Sequence, residues 1–188
     1  MTEHASTASA TVDFVGEFYK DRIIFVTGEI NDFTAQAVIM KLLMLDSSSN
    51  DDITMYINSP GGSVTAGLAI YDTIQHIKSD VSTVGIGMCA SMGAFLLMSG
   101  AKGKRFVLPH SQVLIHQPLG GVSGQATEIQ IVAESIIETR KRINQIMAKH
   151  TGQPFERIQA DTERDRWMWA DEAVRYGLVD SVKEPEEA

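Results

Sequence analysis

Ser91 lies in Gly87-Met88-Cys89-Ala90-Ser91-Met92-Gly93-Ala94, where a β-branched run ends and an apolar, helix-like run begins. Upstream, Val81-Ser82-Thr83-Val84-Gly85-Ile86 reads as a buried strand; downstream, Ala94-Phe95-Leu96-Leu97-Met98 reads as a buried helix. A serine on such a bend is lifted out of the sheet and faces the free N–H groups of the helix start, which suits a nucleophile in acyl transfer. The flanking Ala90 and Met92 depart from the hydrolase pattern Gly-x-Ser-x-Gly. Locally, Ser91 can equally be the N-cap of a tightly packed helix.

A serine hydroxyl attacks only when a base takes its proton, so a histidine has to reach Ser91 from elsewhere in the chain. Of the five histidines, His4 lies in the polar N-terminal stretch, His76 and His150 fall on helix patterns beside charged residues, and His110 follows a proline in a turn. His116 alone ends an apolar strand pattern, Val113-Leu114-Ile115, just before Gln117-Pro118. Backbone donors for an oxyanion are offered by Asn58-Ser59-Pro60-Gly61-Gly62-Ser63, where paired glycines between a strand and a helix permit close approach and Gly62 N–H can join Met92 N–H. The same loop also reads as a plain strand-to-helix turn, and it lacks the Lys-Ser/Thr ending of a phosphate loop. An acid to orient the histidine could be Asp161, Glu163, Asp165, Asp171 or Asp180, and residue types alone do not choose among them.

The elements that must position these groups alternate in α/β fashion. Strand patterns at Ile23–Val26, Asp52–Ile57 and Val81–Ile86 are each followed by a helix pattern: about Phe33–Leu45, from Val64, and from Ser91. Short strands follow at Arg105–Leu108 and Gln112–His116, then a helix over Thr127–His150 opened by the capping pattern Thr127-Glu128-Ile129-Gln130. Its apolar positions Ile129, Val132, Ala133, Ile136, Ile143, Ile146 and Met147 recur at three- and four-residue steps. Ile131 and Ile137 widen that stripe enough to suggest a second subunit as its partner, although an ordinary buried helix would show it too. Two helices near Pro154–Ala160 and Asp171–Tyr176 lead to a last strand at Leu178–Val182.

With 188 residues, 44% of them hydrophobic, the chain suits one domain. A net charge of −8 without a basic stripe argues against nucleic acid, and no apolar run is long enough for a membrane span. The single cysteine, Cys89, excludes an internal disulfide and a Cys-x-x-Cys metal site, and the opening residues lack a secretory pattern, so a cytoplasmic location is expected. No cofactor or metal is expected.

Asn58–Val64, Ala90–Leu97, Ile115–Gly121, Gly124–Ile129 and Asp161–Arg166 together closely resemble the proteolytic subunit family of the Clp protease, in that family's order and spacing, from about Asp13 to Val182. The resemblance implies a crotonase-like α/β spiral of βα units with a protruding handle helix. It divides the chain into a flexible axial-pore segment over residues 1–12, one peptidase domain over 13–182 with the handle at about 121–150, and an acidic tail over 183–188. It implies a serine endopeptidase with Ser91 as nucleophile, His116 as base, Asp165 as orienting acid and the N–H groups of Gly62 and Met92 as oxyanion hole. Substrate would lie as an added strand between Gly62-Ser63-Val64 and Gln117-Pro118-Leu119. The implied assembly is two stacked seven-membered rings, homomeric or mixed with a paralogue, fed with unfolded proteins by a hexameric Clp ATPase that itself uses the ATP. Glu163-Arg164 would then lie at a ring–ring contact. His76 and Thr54 stand where many members carry aromatic residues of the docking pocket, to which Tyr56, Val84, Ile86 and Leu108 could still contribute.

Overall fold

A computed structural model describes Phe18 and residues 20–184; the anticipated axial-pore segment and the tail beyond Glu184 lie outside the described residues. The first half of the chain is three βα units. Strands β1 (Ile23–Ile30), β2 (Ile53–Gly62) and β3 (Val81–Ala90) pair in parallel, each followed by a helix: α1 (Asp32–Ser48), α2 (Val64–His76) and α3 (Met92–Met98). Side-chain caps begin the first two helices, Asn31 accepting from Thr34 N–H at 3.0 Å and Ser63 from Ala66 N–H at 3.3 Å. Ile24, Val26, Ile53, Met55 and Ile57 are buried under these helices with Leu42, Ile70 and the whole of α3. A helix as apolar as α3 is stable only as a core element.

Strand β3 then divides its free edge between two partners. Its first half takes β4 (Arg105–Val107) and its second half takes β5 (Gln112–Ile115), both in parallel. Gly87, with φ +66°, lies between the two stretches. Beyond β5, in antiparallel register, lies β6 (Arg166–Trp169), and β4 carries the short β7 (Ser181–Val182) on its far side. This mixed α/β arrangement around a mostly parallel sheet agrees with the crotonase-like spiral the sequence implies.

Several boundaries differ from expectation. Strands β2 and β3 run on through Gly62 and Ala90, because the glycine loop pairs with the end of β1 (Ile30 opposite Gly62) instead of leaving the sheet. The strand expected from Leu178 shrinks to Ser181–Val182, since Asp180 turns inward to Arg105. Strand β6 has no counterpart in the sequence reading.

Residues 116–125 are irregular and lead to the long helix α4 (Ala126–Thr151), whose 26 residues span roughly 39 Å at 1.5 Å each. Its cap is Gln125, whose N–H donates to the Glu128 carboxylate at 3.2 Å, two residues ahead of the expected Thr127–Gln130 box. Only the C-terminal part of α4 packs into the core, through Ile143, Asn144 and Met147; Ile131 and Ile137 are 61% and 66% exposed. Among the described residues the first half of the stripe is therefore covered only in part, with Val132, Ala133 and Ile136 half-buried and Ile129, Ile131 and Ile137 open. Helices α5 (Phe155–Asp161) and α6 (Ala170–Tyr176) complete the described chain. Tyr56 stacks on Phe25, which meets Phe18 edge-on, so an aromatic group forms on the face of β1 and β2.

Cys89 is fully buried beside Ile57 O, and desolvation pushes its thiol up to about 12. A maleimide at pH 8 is expected to leave Cys89 unmodified in the native protein and to label it only after unfolding in denaturant. Rapid native labelling, read by intact mass, would contradict this burial.

Candidate active site

The sheet register assembles the site. Ala90 pairs with Leu114 in parallel, so Ser91 and His116 emerge within two residues of each other from neighbouring strand ends. Ile115 pairs with Arg166 in antiparallel sense, which sets Asp165 beside His116. Gln117 N–H donates to Thr162 O at 2.6 Å, tying the next residue along to the same loop.

Ser91 has φ +56° and ψ −120°, one of two described non-glycine residues with positive φ. An L-residue pays for such a conformation, on the order of 1–3 kcal/mol, and keeps it only where surrounding structure demands it. Its side chain makes no capping hydrogen bond to α3, so the N-cap alternative raised by the sequence is set aside. The backbone is anchored by Ser91 N–H to Leu114 O at 2.9 Å. Opposite it runs the end of β2. A Cβ at Gly61 would stand 2.7 Å from Ser91 Cβ and 3.0 Å from Met92 N, and a Cβ at Gly93 would stand 2.8 Å from Ser59 O. Glycines at both positions let the two backbones meet; Gly61, read from the sequence as one of the paired glycines permitting close approach, does so against Ser91 and Met92. A Cβ at Gly62 would instead strike Ile30 O at 2.2 Å, so this glycine is required by the β1 pairing.

His116 is 16% exposed, and its Nδ1 lies 3.2 Å from Oδ1 of Asp165, which is 63% exposed. An ionised carboxylate only accepts, so this bond places the ring proton on Nδ1 and leaves the Nε2 lone pair available as a base. The sequence left five acids open, and ion pairing separates them. Asp161 is held by Arg166 and Arg157, Glu163 by Arg140, Asp171 by Arg175 and Asp180 by Arg105, whereas Asp165 takes the histidine. Among the other histidines, His150 is committed to the Tyr71 hydroxyl at 3.0 Å beside a different cavity, and burial lowers its pKa.

Ser91 and His116 share the wall of one small cleft. Its floor is Phe95 with Ile143 and Met147 from the packed end of α4, and its lips are Val64 and Pro118. Such a lining suits an apolar side chain next to a reacting carbonyl. Of the proposed strand-binding residues, Val64 and Pro118 therefore reach the cleft. Ser63 is occupied in capping α2, Gln117 turns its amide to Glu163 O at 3.0 Å, and Leu119 is exposed outside the lining. The part played by Ile143 and Met147 was visible in the sequence only as helix periodicity.

Among the described residues no helix is long and apolar enough to cross a membrane. Compared with known families, residues 6–186 match the family model described as Clp protease, which is nearly the whole chain. A serine on a strained strand-to-helix bend, its neighbouring His116–Asp165 pair and this match over nearly the full length coincide: the chain belongs to the Clp protease family.

Proposed function

We propose that this chain is a serine endopeptidase subunit that cleaves unfolded polypeptides inside a ring-shaped chamber. The conformation of Ser91 carries the proposal: strain without a capping bond, at an apolar cleft shared with a carboxylate-paired histidine, has a ready chemical use. In this reading Ser91 Oγ attacks the scissile carbonyl carbon while His116 Nε2 takes the hydroxyl proton, and Asp165 stabilises the imidazolium. The N–H groups of Gly62 and Met92 receive the oxyanion; Met92, as the first residue of α3, has an N–H without an intrahelical acceptor. Collapse of the tetrahedral intermediate passes the proton to the leaving amine, and water then hydrolyses the acyl-enzyme with His116 again as base. The chain between Gly62-Ser63-Val64 and Gln117-Pro118-Leu119 would be held through its backbone, giving low side-chain selectivity.

Members of the family generally form rings and pair with Clp ATPases. The exposed stripe on α4 supports two stacked heptameric rings meeting through these handles, with a hexameric Clp ATPase feeding substrate in the cytoplasm. A second reading is a specialised ring subunit active only in mixed rings with a paralogue. It is favoured by one observation: of the two hydrogen bonds a relay needs, the described residues form His116–Asp165, with Asp165 still open to solvent.

A fluorophosphonate probe tests the proposal. Purified, assembled protein is expected to be labelled at Ser91 and to cleave a short fluorogenic peptide; labelling elsewhere would sink it. Labelling and cleavage that appear only after mixing with a paralogous subunit would select the second reading.

A further inference from the structure

The loop that delivers Asp165 is fixed at both ends to the flanks of His116. At one end Thr162 is fully buried, and its carbonyl receives Gln117 N–H. At the other, Arg166 pairs with Ile115 as β6 begins. What holds Arg166 itself is a cluster outside the active site. Its Nη1 donates to Asp161 Oδ1 at 2.6 Å, and its guanidinium lies 5.2 Å from the centre of the Tyr176 ring. Arg157 lies 5.4 Å from the centre of the same ring and 3.4 Å from Asp161. The Tyr176 hydroxyl donates to Asp161 Oδ2 at 3.0 Å. One carboxylate, mostly buried, thus gathers two guanidiniums and a phenol. Burial and the adjacent Asp161 raise the Tyr176 pKa, so the phenol stays a donor at any working pH.

Arg166 depends on this anchor. Its Nε is buried without a partner, so the Asp161 contact and the ring face are the interactions that fix its head group. Without the carboxylate, a positive charge would be left in a half-buried site one residue from the catalytic acid.

We propose that Asp161 is a positioning residue: by holding Arg166 against Tyr176, it sets the place of the adjacent Asp165 beside His116. Asp165 is itself solvent-exposed and has no guanidinium of its own, so its position follows from the backbone on either side. The proposal rests on the peptidase reading of Ser91, His116 and Asp165, and its test keeps the two separable.

The full-length assembled protein is compared as wild type, Asp161→Asn, Asp161→Glu and the charge control Asp171→Asn, which gives up an exposed pair with Arg175 on α6. In Asp161→Asn, kcat for a fluorogenic peptide is expected to fall by between ten- and about a hundredfold, as for an acid displaced by a fraction of an ångström to one ångström, with KM within about twofold. Asp161→Glu restores part of the loss, and Asp171→Asn matches wild type. The far-downfield proton resonance of the His116 Nδ1–H is expected to weaken or vanish in Asp161→Asn alone. Wild-type kcat together with an unchanged resonance in Asp161→Asn would overturn the proposal, as would a rise in KM at constant kcat. If the wild type is inert both alone and after mixing with a paralogous subunit, the peptidase reading fails, and the resonance still decides whether Asp161 places Asp165. If Asp161→Asn does not assemble, Tyr176→Phe removes one donor to the same carboxylate; an unaltered kcat and resonance there would equally overturn the proposal.

Discussion

Ser91→Ala is expected to abolish probe labelling and to lower kcat for peptide cleavage by at least about 10⁴-fold, because a nucleophile and its base act as one unit and the loss of either removes nearly the whole chemical step. KM should change little, since the cleft walls are the side chains of Val64, Phe95, Pro118, Ile143 and Met147. The stability of the variants separates this role from helix capping. A capping serine replaced by alanine costs about 1 kcal/mol, whereas the Ser91 side chain caps nothing and its alanine variant should unfold within a few tenths of a kcal/mol of wild type. Ser91→Gly should be as inactive as Ser91→Ala yet at least as stable, because glycine occupies φ +56° without the steric cost that serine and alanine share. Loss of stability in Ser91→Ala with activity retained would assign Ser91 to the helix instead. The combination sought, inactivity without destabilisation, marks strain kept for chemistry.

How much of this was legible before the structure follows from the range over which each signal acts. The bend at Ser91 is local: a β-branched run, a stretch of small residues and an apolar run fix a strand, a turn and a buried helix, and β3, Ser91 and α3 follow. His116 stood out for an equally local reason, the end of an apolar strand. What could not be read was register. The sequence of β4 and β5 suggests two successive short strands, but that each occupies half of the edge of β3 is decided by the kink at Gly87 and the cross-strand packing around it. Asp165 was opaque for a different reason. Five carboxylates looked alike until arginines 157, 166, 140, 175 and 105, on elements spread across the chain, claimed the other four. Strand β6 was missed because Arg166-Trp167-Met168-Trp169 has only four residues with one buried, although its aromatic alternation was a signal. The α4 stripe left two partners open, a second subunit or the chain's own core, since a helix face records that it has to be covered without recording by what; Ile131 and Ile137 are exposed in the folded chain.

The largest stability loss away from the candidate site is expected from Asp180→Asn. Arg105 is 6% exposed, on a strand of only three residues, and its guanidinium is the hub where the end of the sheet meets two helix ends. Its Nε and Nη2 donate to the two oxygens of Asp180 at 3.0 and 2.6 Å, while Nη1 donates to the carbonyls of His150 at the end of α4 and Gly177 at the end of α6. Asp180 Oδ2 also accepts the backbone N–H of Gly103 and Arg105. Burial alone would raise this carboxyl, but the guanidinium and the two amides outweigh it and hold it below its ordinary value of 3.8. Removing the negative charge leaves Arg105 buried and unmatched, which costs about 3–5 kcal/mol. At equal protomer concentration the urea midpoint should drop by roughly 1–2 M, followed by maleimide capture of Cys89 as it becomes exposed. The pH dependence gives the sign. Because the folded pKa lies below the unfolded one, the stabilisation is complete above pH 3.8 and is lost as pH falls through the lower, folded value. The gap between wild type and Asp180→Asn should therefore be widest near neutrality, narrow as pH falls below 3.8, and close once pH has passed the lower folded value, where wild-type Asp180 takes up the proton that makes it resemble asparagine. A gap constant down to pH 3 would mean that shape, and not the charge on Asp180, holds Arg105 in place.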